Sequence, residues 1–332
     1  MKIICYFVSN ADAPYFDELN KYGYELTIVK KKLGPETVDM AQGHDGVLIH
    51  GSCDARKEIV DKLASYGVKY LFTRSAGFNH IDLDACKEHG IRVATGSGYS
   101  PNSVTELCLT MALSLLRNVT FANDRISRLL NMRYDKRMSS REVRNCTVGI
   151  IGTGNIGRTM GQAYKGLGSK VLGYSRSTTS GSDDVFEYVD LDTLLAKSDI
   201  VSVHIPYTPG VNDELINEDF IAKMKDNSIL INGSRGALQN NQAIVDGIKS
   251  EKLYGYGTDV LPDEMSIFGK IYKHTDEISD PTVREMVELY PRVLITPHVG
   301  AQTDQASKDM ISISFENFND ILNGREPKNL LV

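Results

Sequence analysis

The sequence predicts an α/β protein built on parallel sheets. Short β-rich runs alternate with helical stretches along the whole chain, the pattern of strand–helix–strand units. One of those runs, "TVGIIG", leads into a glycine-rich turn and then a helix. The strands also fall into two groups, and 332 residues are enough for two domains of ordinary size.

In chain order, the first group of expected strands is "KIICYFV", "GVLIHG", "KYLFTRS" and "IRVATG". Next comes "PNSVTELCLTMALSLLR", read as one long helix, apolar nearly all round, with Ser103 and Glu106 as a capping box. A helix apolar on every face is buried, so this one is expected between domains or subunits. The second group is "TVGIIG", "KVLGYS", "IVSVHIP", "SILINGS", "LYGYGTDV" and "RVLITPH". A last helix, around 306–322, is expected to cross back to the first group. The expected domains are therefore residues 101–298, which carry the glycine turn, and residues 1–100 plus 299–332. The sequence holds no internal repeat and no low-complexity segment.

Composition excludes several classes of function. The chain is 41% hydrophobic and 24% charged, with a formal net charge of −6. Lys and Arg are scattered without a basic block, so no nucleic-acid footprint is expected. No apolar run is long enough to span a bilayer, so no membrane partner is expected. The apolar start of the chain soon meets acids, which suits a first strand rather than a secretory signal. Cys5, Cys53, Cys86, Cys108 and Cys146 are widely spaced without CxxC, and the histidines show no HxH or HExxH. Reduced thiols in a cytoplasmic protein, without a metal site, are the expectation.

The turn "GTGNIG" places Gly152, Gly154 and Gly157 at the spacing of a dinucleotide-binding loop. One glycine makes the tight turn, one lets the backbone approach a pyrophosphate, and one lets helix and strand pack closely. Free N–H groups at the helix start then face the phosphates. The next strand ends in "YSRST". An acid there would accept from the 2′-hydroxyl of NAD and repel the 2′-phosphate of NADP. Ser175 removes that repulsion and Arg176 supplies a planar donor suited to phosphate. NADP(H) is therefore the expected cofactor. NAD(H) is the alternative, with Arg176 as an exposed loop residue.

Ligands of open α/β sheets sit beyond the carboxyl ends of strands. Arg235, Asp259, Glu264 and His298 follow strands of the second group; Ser75, Ala76, Gly77 and Tyr99 follow strands of the first. Reduction of a 2-oxo acid needs a fork for the carboxylate, which Arg235 offers. It also needs a proton for the carbonyl oxygen, which His298 can give if a carboxylate holds the ring and raises its pKa. Glu264 is expected in that role, with its neighbour Asp263 as competitor. Neutral His298 would take the proton back in oxidation, and Arg235 would stabilise charge on the oxygen.

Several motifs in order, "TRSAGFNHIDL", "YSPNSVTEL", "VGIIGTGNIGRTMGQ", "ILINGSRGAL", "GTDVLPDE" and "RVLITPHVGAQT", resemble the D-2-hydroxyacid dehydrogenase family over nearly the whole chain. Within it the similarity is greatest to the D-lactate and (R)-2-hydroxyglutarate dehydrogenase branch. The resemblance implies two Rossmann-like or flavodoxin-like doubly wound domains with a cleft between them, and a homodimer. It implies Arg235 as substrate anchor, His298 as acid/base and Glu264 as its partner. It adds Asn155, Ile156, Ile205, Pro206, Asn212, Gly233, Ser234 and Asp259 to the cofactor residues. It places Tyr99 and the N–H groups of Ala76 and Gly77 on the substrate carboxylate.

There are departures from the family pattern. Ser175 and Arg176 are similar to NADPH-using glyoxylate and hydroxypyruvate reductases. His50 stands where the hydroxyglutarate enzyme has an arginine, and Gly98 where relatives often have one. Small residues at Gly98, Gly300 and Ala301 predict a roomier pocket, suited to a branched or aromatic 2-oxo acid. Rival expectations are a nicotinamide-sensing binding protein on the same fold, a glyoxylate or hydroxypyruvate reductase, and formate or phosphite oxidation.

Overall fold

The structure, a computed structural model, describes residues 1–178 and 180–332. It divides into two compact units: Met1–Ser100 with Gln302–Val332, and Pro101–Ala301. Val299, Gly300 and Ala301 group with the second unit.

The first unit runs β1 (Lys2–Tyr6), α1 (Ala13–Leu19), β2 (Glu25–Val29), β3 (Gly46–Ile49), α2 (Lys57–Ser65), β4 (Tyr70–Thr73), α3 (Leu83–Glu88) and β5 (Arg92–Thr95). Its five strands form a parallel sheet in the order β2-β1-β3-β4-β5. The winding direction reverses between β1 and β3, so the carboxyl ends of these two strands flank a topological switch point. Every residue of β3, "GVLI", is buried, as expected of a strand covered on both faces.

The second unit runs α4 (Pro101–Leu116), α5 (Val119–Leu129), β6 (Thr147–Ile151), α6 (Asn155–Gly166), β7 (Lys170–Tyr174), β8 (Gly181–Ser182), β9 (Glu187–Tyr188) and α7 (Leu191–Lys197). It continues with β10 (Ile200–Val203), α8 (Glu218–Lys223), β11 (Ser228–Asn232), α9 (Asn241–Lys249), β12 (Leu253–Thr258), α10 (Glu264–Ile267), α11 (Pro281–Glu288) and β13 (Val293–Ile295). The eight-stranded sheet is ordered β13-β12-β11-β10-β6-β7-β9-β8, parallel except for β8 against β9. Its switch point lies between β6 and β10, directly above the glycine turn. β10 and β11 are buried throughout. Side-chain caps start the surrounding helices: Asp190 accepts from the Thr193 N–H, Asn217 from Phe220 and Asn240 from Ala243.

The last helix, α12 (Asp304–Leu322), belongs to the first unit. Phe318 stacks on Phe72 at 4.2 Å between ring centroids, and Phe315 meets Phe16 edge-on at 6.0 Å. Burying each such ring contributes roughly 1.5–3 kcal/mol. Beyond the helix, Leu331 donates its N–H to the Val93 carbonyl, which covers the edge of β5.

Four features differ from the sequence expectation. Ser103 and Glu106 form no capping box: α4 begins at Pro101, and the Ser103 hydroxyl donates instead to the Gly300 carbonyl at 2.6 Å. α4 is also not apolar all round in use. It packs on α6, β11 and β12 of its own unit, with Asn102, Glu106 and Thr110 exposed. β2 was not expected, because Glu25 and Thr27 interrupt its apolar pattern on an edge strand. β8 and β9 have two residues each and carry no periodicity to read. Among the described residues no single helix is long and apolar enough to cross a membrane.

Candidate active site

The three glycines of the turn after β6 have separate structural reasons. Gly152 has φ +94°, and a Cβ there would overlap the His204 carbonyl. A Cβ at Gly157 would overlap the Gly152 carbonyl oxygen, so close packing of α6 on the turn requires glycine. Gly154 has open space where a Cβ would stand. It precedes α6, whose N-terminus has no side-chain cap. Uncapped N–H groups over open space form a cradle for an anion.

Along the same edge, β7 is followed by Ser175 and Arg176. The Ser175 hydroxyl accepts from the Thr178 N–H at 3.1 Å, while Arg176 is exposed. After β10, the Asn212 amide braces the next loop: Nδ2 donates to the Pro206 carbonyl, and Oδ1 accepts from the Thr208 N–H. Ile205, just before this loop, packs on the core. After β11, Gly233 has Cys108 Sγ where a Cβ would sit, and Ser234 donates to the Val203 carbonyl at 3.0 Å. Arg235 is half-buried and donates to the Ser234 carbonyl at 2.7 Å, which fixes the base of its guanidinium.

His298 and Glu264 meet directly. Glu264 Oε1 lies 2.6 Å from His298 Nδ1, and Asp263 is exposed and takes no part. A carboxylate only accepts, so Nδ1 carries the proton and Nε2 is the nitrogen left for chemistry. The bond to Glu264 raises the His298 pKa above its ordinary value; desolvation and the Arg235 charge oppose it. His204, by contrast, is pushed down to about 4 by burial and stays neutral.

His298 has φ +55°, a conformation that side chains rarely adopt. Asp259, at the end of β12, holds the loop that carries it. Its carboxylate accepts from Thr296 Oγ1 at 2.6 Å, from the Val299 N–H at 2.8 Å and from the Gly300 N–H at 2.7 Å. This clamp was not legible in the sequence, where Asp259 read as a strand-end acid and, by the resemblance, as a cofactor residue. The clamp also corrects one expectation. Gly300 does not enlarge a pocket, because a Cβ there would press on Asp259 Oδ2 at 2.9 Å.

In the first unit, His50, Ala76, Gly77 and Tyr99 all lie past the carboxyl ends of strands. The Ser75 hydroxyl donates to the Gly77 carbonyl at 2.7 Å, and the N–H groups of Ala76 and Gly77 make no hydrogen bond among the described residues. His50 Nδ1 accepts from the Ser52 N–H at 3.2 Å. Burial, with help from the Arg74 charge, pushes its pKa down to about 4, so the imidazole is neutral. Gly98 has φ +98° and open space at its Cβ position.

Residues 109–300 match the family model described as "D-isomer specific 2-hydroxyacid dehydrogenase, NAD binding domain". The chain is 37% identical over 322 residues to the aromatic 2-oxoacid reductase of Clostridium sporogenes (strain ATCC 15579), covering 96% of both. It is 33% identical over 331 residues to the D-lactate dehydrogenase of Lactobacillus delbrueckii subsp. bulgaricus, covering 98% of this chain and 97% of that one. The solved structure of D-2-hydroxyisocaproate dehydrogenase superposes with a TM-score of 0.90 at 31% identity, covering 100% of this chain and 99% of the other. The chain belongs to the D-isomer specific 2-hydroxyacid dehydrogenase family.

This D-2-hydroxyacid dehydrogenase is thus an oxidoreductase using a nicotinamide cofactor and a small 2-oxo acid. Its five cysteines are buried and unpaired, and burial pushes Cys5, Cys86 and Cys108 up to about 12, which keeps these thiols inert. Among the described residues no cluster of His, Cys, Asp and Glu could hold a metal ion.

Proposed function

We propose that the enzyme reduces 2-oxo acids with bulky branched or aromatic side chains to (R)-2-hydroxy acids, using NADPH in preference to NADH. The observation that carries the reaction is the His298–Glu264 pair at 2.6 Å, in the unit that also holds Arg235 and the glycine turn. In this reading Pro101–Ala301 is the dinucleotide-binding domain and the rest of the chain is the substrate domain.

The cofactor fits the residues present. Gly154 leaves space for a pyrophosphate against the uncapped start of α6. Gly152, Asn155, Ile156, Gly157, Ile205, Pro206, Asn212, Gly233, Ser234 and Asp259 complete the proposed cofactor set. Bound there, a reduced nicotinamide supplies the hydride. Arg235 holds the substrate carboxylate as a two-pronged donor and stabilises charge on the carbonyl oxygen. His298 Nε2–H donates the proton to that oxygen. Glu264 keeps the ring in the correct tautomer and stabilises the imidazolium. Tyr99 and the N–H groups of Ala76 and Gly77 supply further donors to the carboxylate.

Exposed Arg176 beside Ser175, with no acid at the end of β7, supports the NADPH preference. The substrate class is supported by neutral His50, which offers no cation for a second carboxylate, and by the open space at Gly98. The names of two relatives point the same way: the aromatic 2-oxoacid reductase and D-2-hydroxyisocaproate dehydrogenase. The exposed apolar run of Leu129, Leu130 and Met132 supports a homodimer, and the buried thiols support a reducing, cytoplasmic setting.

The test is reduced-cofactor consumption with NADPH and NADH in parallel, against glyoxylate, pyruvate, 2-oxoglutarate, 2-oxoisocaproate and phenylpyruvate. The proposal requires NADPH and a bulky acid to give the highest kcat/KM. Highest turnover of glyoxylate would move the reading to a glyoxylate reductase. Absence of turnover with every pair would move it to a sensor.

A further inference from the structure

Phe7 is an anomaly of the first unit. It follows β1 directly and has φ +55°, a conformation expensive for a bulky side chain. The conformation is over-determined. Arg74, itself only 3% exposed, donates from one guanidinium nitrogen to the carbonyls of Tyr6 at 3.2 Å and Phe7 at 3.1 Å. The Phe7 N–H donates to the Lys31 carbonyl at 2.9 Å, and the Val8 N–H to Val29 at 3.0 Å. Such strain is retained where surrounding structure holds it in place, and it clusters at functional sites.

The ring gains little from folding in return. It stays 38% exposed, outside the core clusters that take the neighbouring Tyr6 and Val8. Lys32 Nζ lies 5.1 Å from its centroid, and the imidazole of His50 lies at 5.4 Å, tilted by 58°. Phe7 and His50 stand at the carboxyl ends of β1 and β3, the two strands that flank the switch point of this sheet. Open α/β sheets place their ligands at that position.

We infer that Phe7 is a specificity-determining residue: its ring and the His50 imidazole form an aromatic wall that binds the side chain of the 2-oxo acid. The inference rests on the proposed preference for bulky 2-oxo acids. An aromatic wall of this kind rewards a flat or branched apolar group and gives almost nothing to a methyl group. Phe7 does not touch the reacting atoms, so it acts on which acid is bound.

The experiment compares wild type with Phe7→Ala and Phe7→Gly, measuring kcat/KM for phenylpyruvate and for pyruvate with one cofactor. Glycine adopts positive φ without strain, so the second variant separates loss of the ring from loss of the fold. The expected result is about a tenfold fall in the phenylpyruvate-to-pyruvate ratio in both variants, mostly through KM for phenylpyruvate. The expected thermal midpoint of Phe7→Gly is at or above that of wild type. An unchanged ratio overturns the inference, and so does an equal loss with both acids. The reading it rests on is tested separately, by the wild-type ratio alone: wild type that prefers pyruvate defeats the bulky-substrate reading whatever the variants do.

Discussion

Replacing Glu264 by Gln removes one negative charge while keeping an acceptor for His298 Nδ1. The native bond is 2.6 Å long and is the largest cause of the raised His298 pKa. A hydrogen bond to a charged group contributes about 1.5–3 kcal/mol. The His298 side chain is 44% exposed, so solvent screens the pair and the low end of that range applies. That end corresponds to about tenfold. The sign follows from which form is active. In the proposed mechanism protonated His298 donates in reduction, so kcat/KM is expected to be flat below its pKa and to fall as pH rises through it. Glu264 raises that pKa and extends the active window upward. In Glu264→Gln the fall begins at lower pH. Above both pKa values the variant is slower by about tenfold, and at acid pH the two enzymes converge. The assay is initial-rate cofactor oxidation from about pH 5 to about pH 9 at saturating cofactor. A descending limb at unchanged pH would refute the assignment, as would a loss of equal size at every pH.

Other perturbations test the cofactor site and the loop beneath His298. Ser175→Asp puts a carboxylate at the end of β7; kcat/KM with NADPH is expected to fall by about tenfold or more while that with NADH holds or rises, measured side by side. Gly157→Ala sets a methyl group on the Gly152 carbonyl, a backbone atom with little room to yield. Cofactor affinity, read by fluorescence titration, is expected to be lost, with about 1–3 kcal/mol of stability in chemical denaturation. Asp259→Asn turns an N–H donor toward the donors at Thr296, Val299 and Gly300. Leaving one of them unpaired costs about 1–3 kcal/mol, so both the thermal midpoint and kcat are expected to fall.

What could be read from the sequence depended on whether the signal was local. Strands such as "IVSV" and "SILIN" are buried on both faces, and their apolar runs announce it. The glycine turn was legible because steric need selects glycine at fixed spacing. Edge strands were not: β2 mixes Glu25 and Thr27 with its apolar residues because solvent tolerates them there. Ser103 looked like a cap because spacing is all a sequence offers. Its hydroxyl is drawn instead to the Gly300 carbonyl, a partner 197 residues away. Asp263 and Glu264 are chemically alike and adjacent, and only backbone direction separates them. Asp263 takes φ +48° ahead of α10, which turns Glu264 onto His298.

Two strained residues, His298 and Phe7, stand beside an acid and a cation that are spent on backbone. His298 is held at φ +55° by a loop whose N–H groups end on Asp259. Phe7, also at φ +55°, is held by carbonyls that end on Arg74. In both cases a buried ionic group gives its hydrogen bonds to main chain, where each is strong because the surroundings are dry. Those bonds offset a backbone cost of order 1–3 kcal/mol. The returns differ. At His298 the strain aims the proposed proton donor, and its removal is expected to cost rate with every substrate. At Phe7 it aims a ring, and its removal is expected to change the ranking of substrates and leave the chemistry alone.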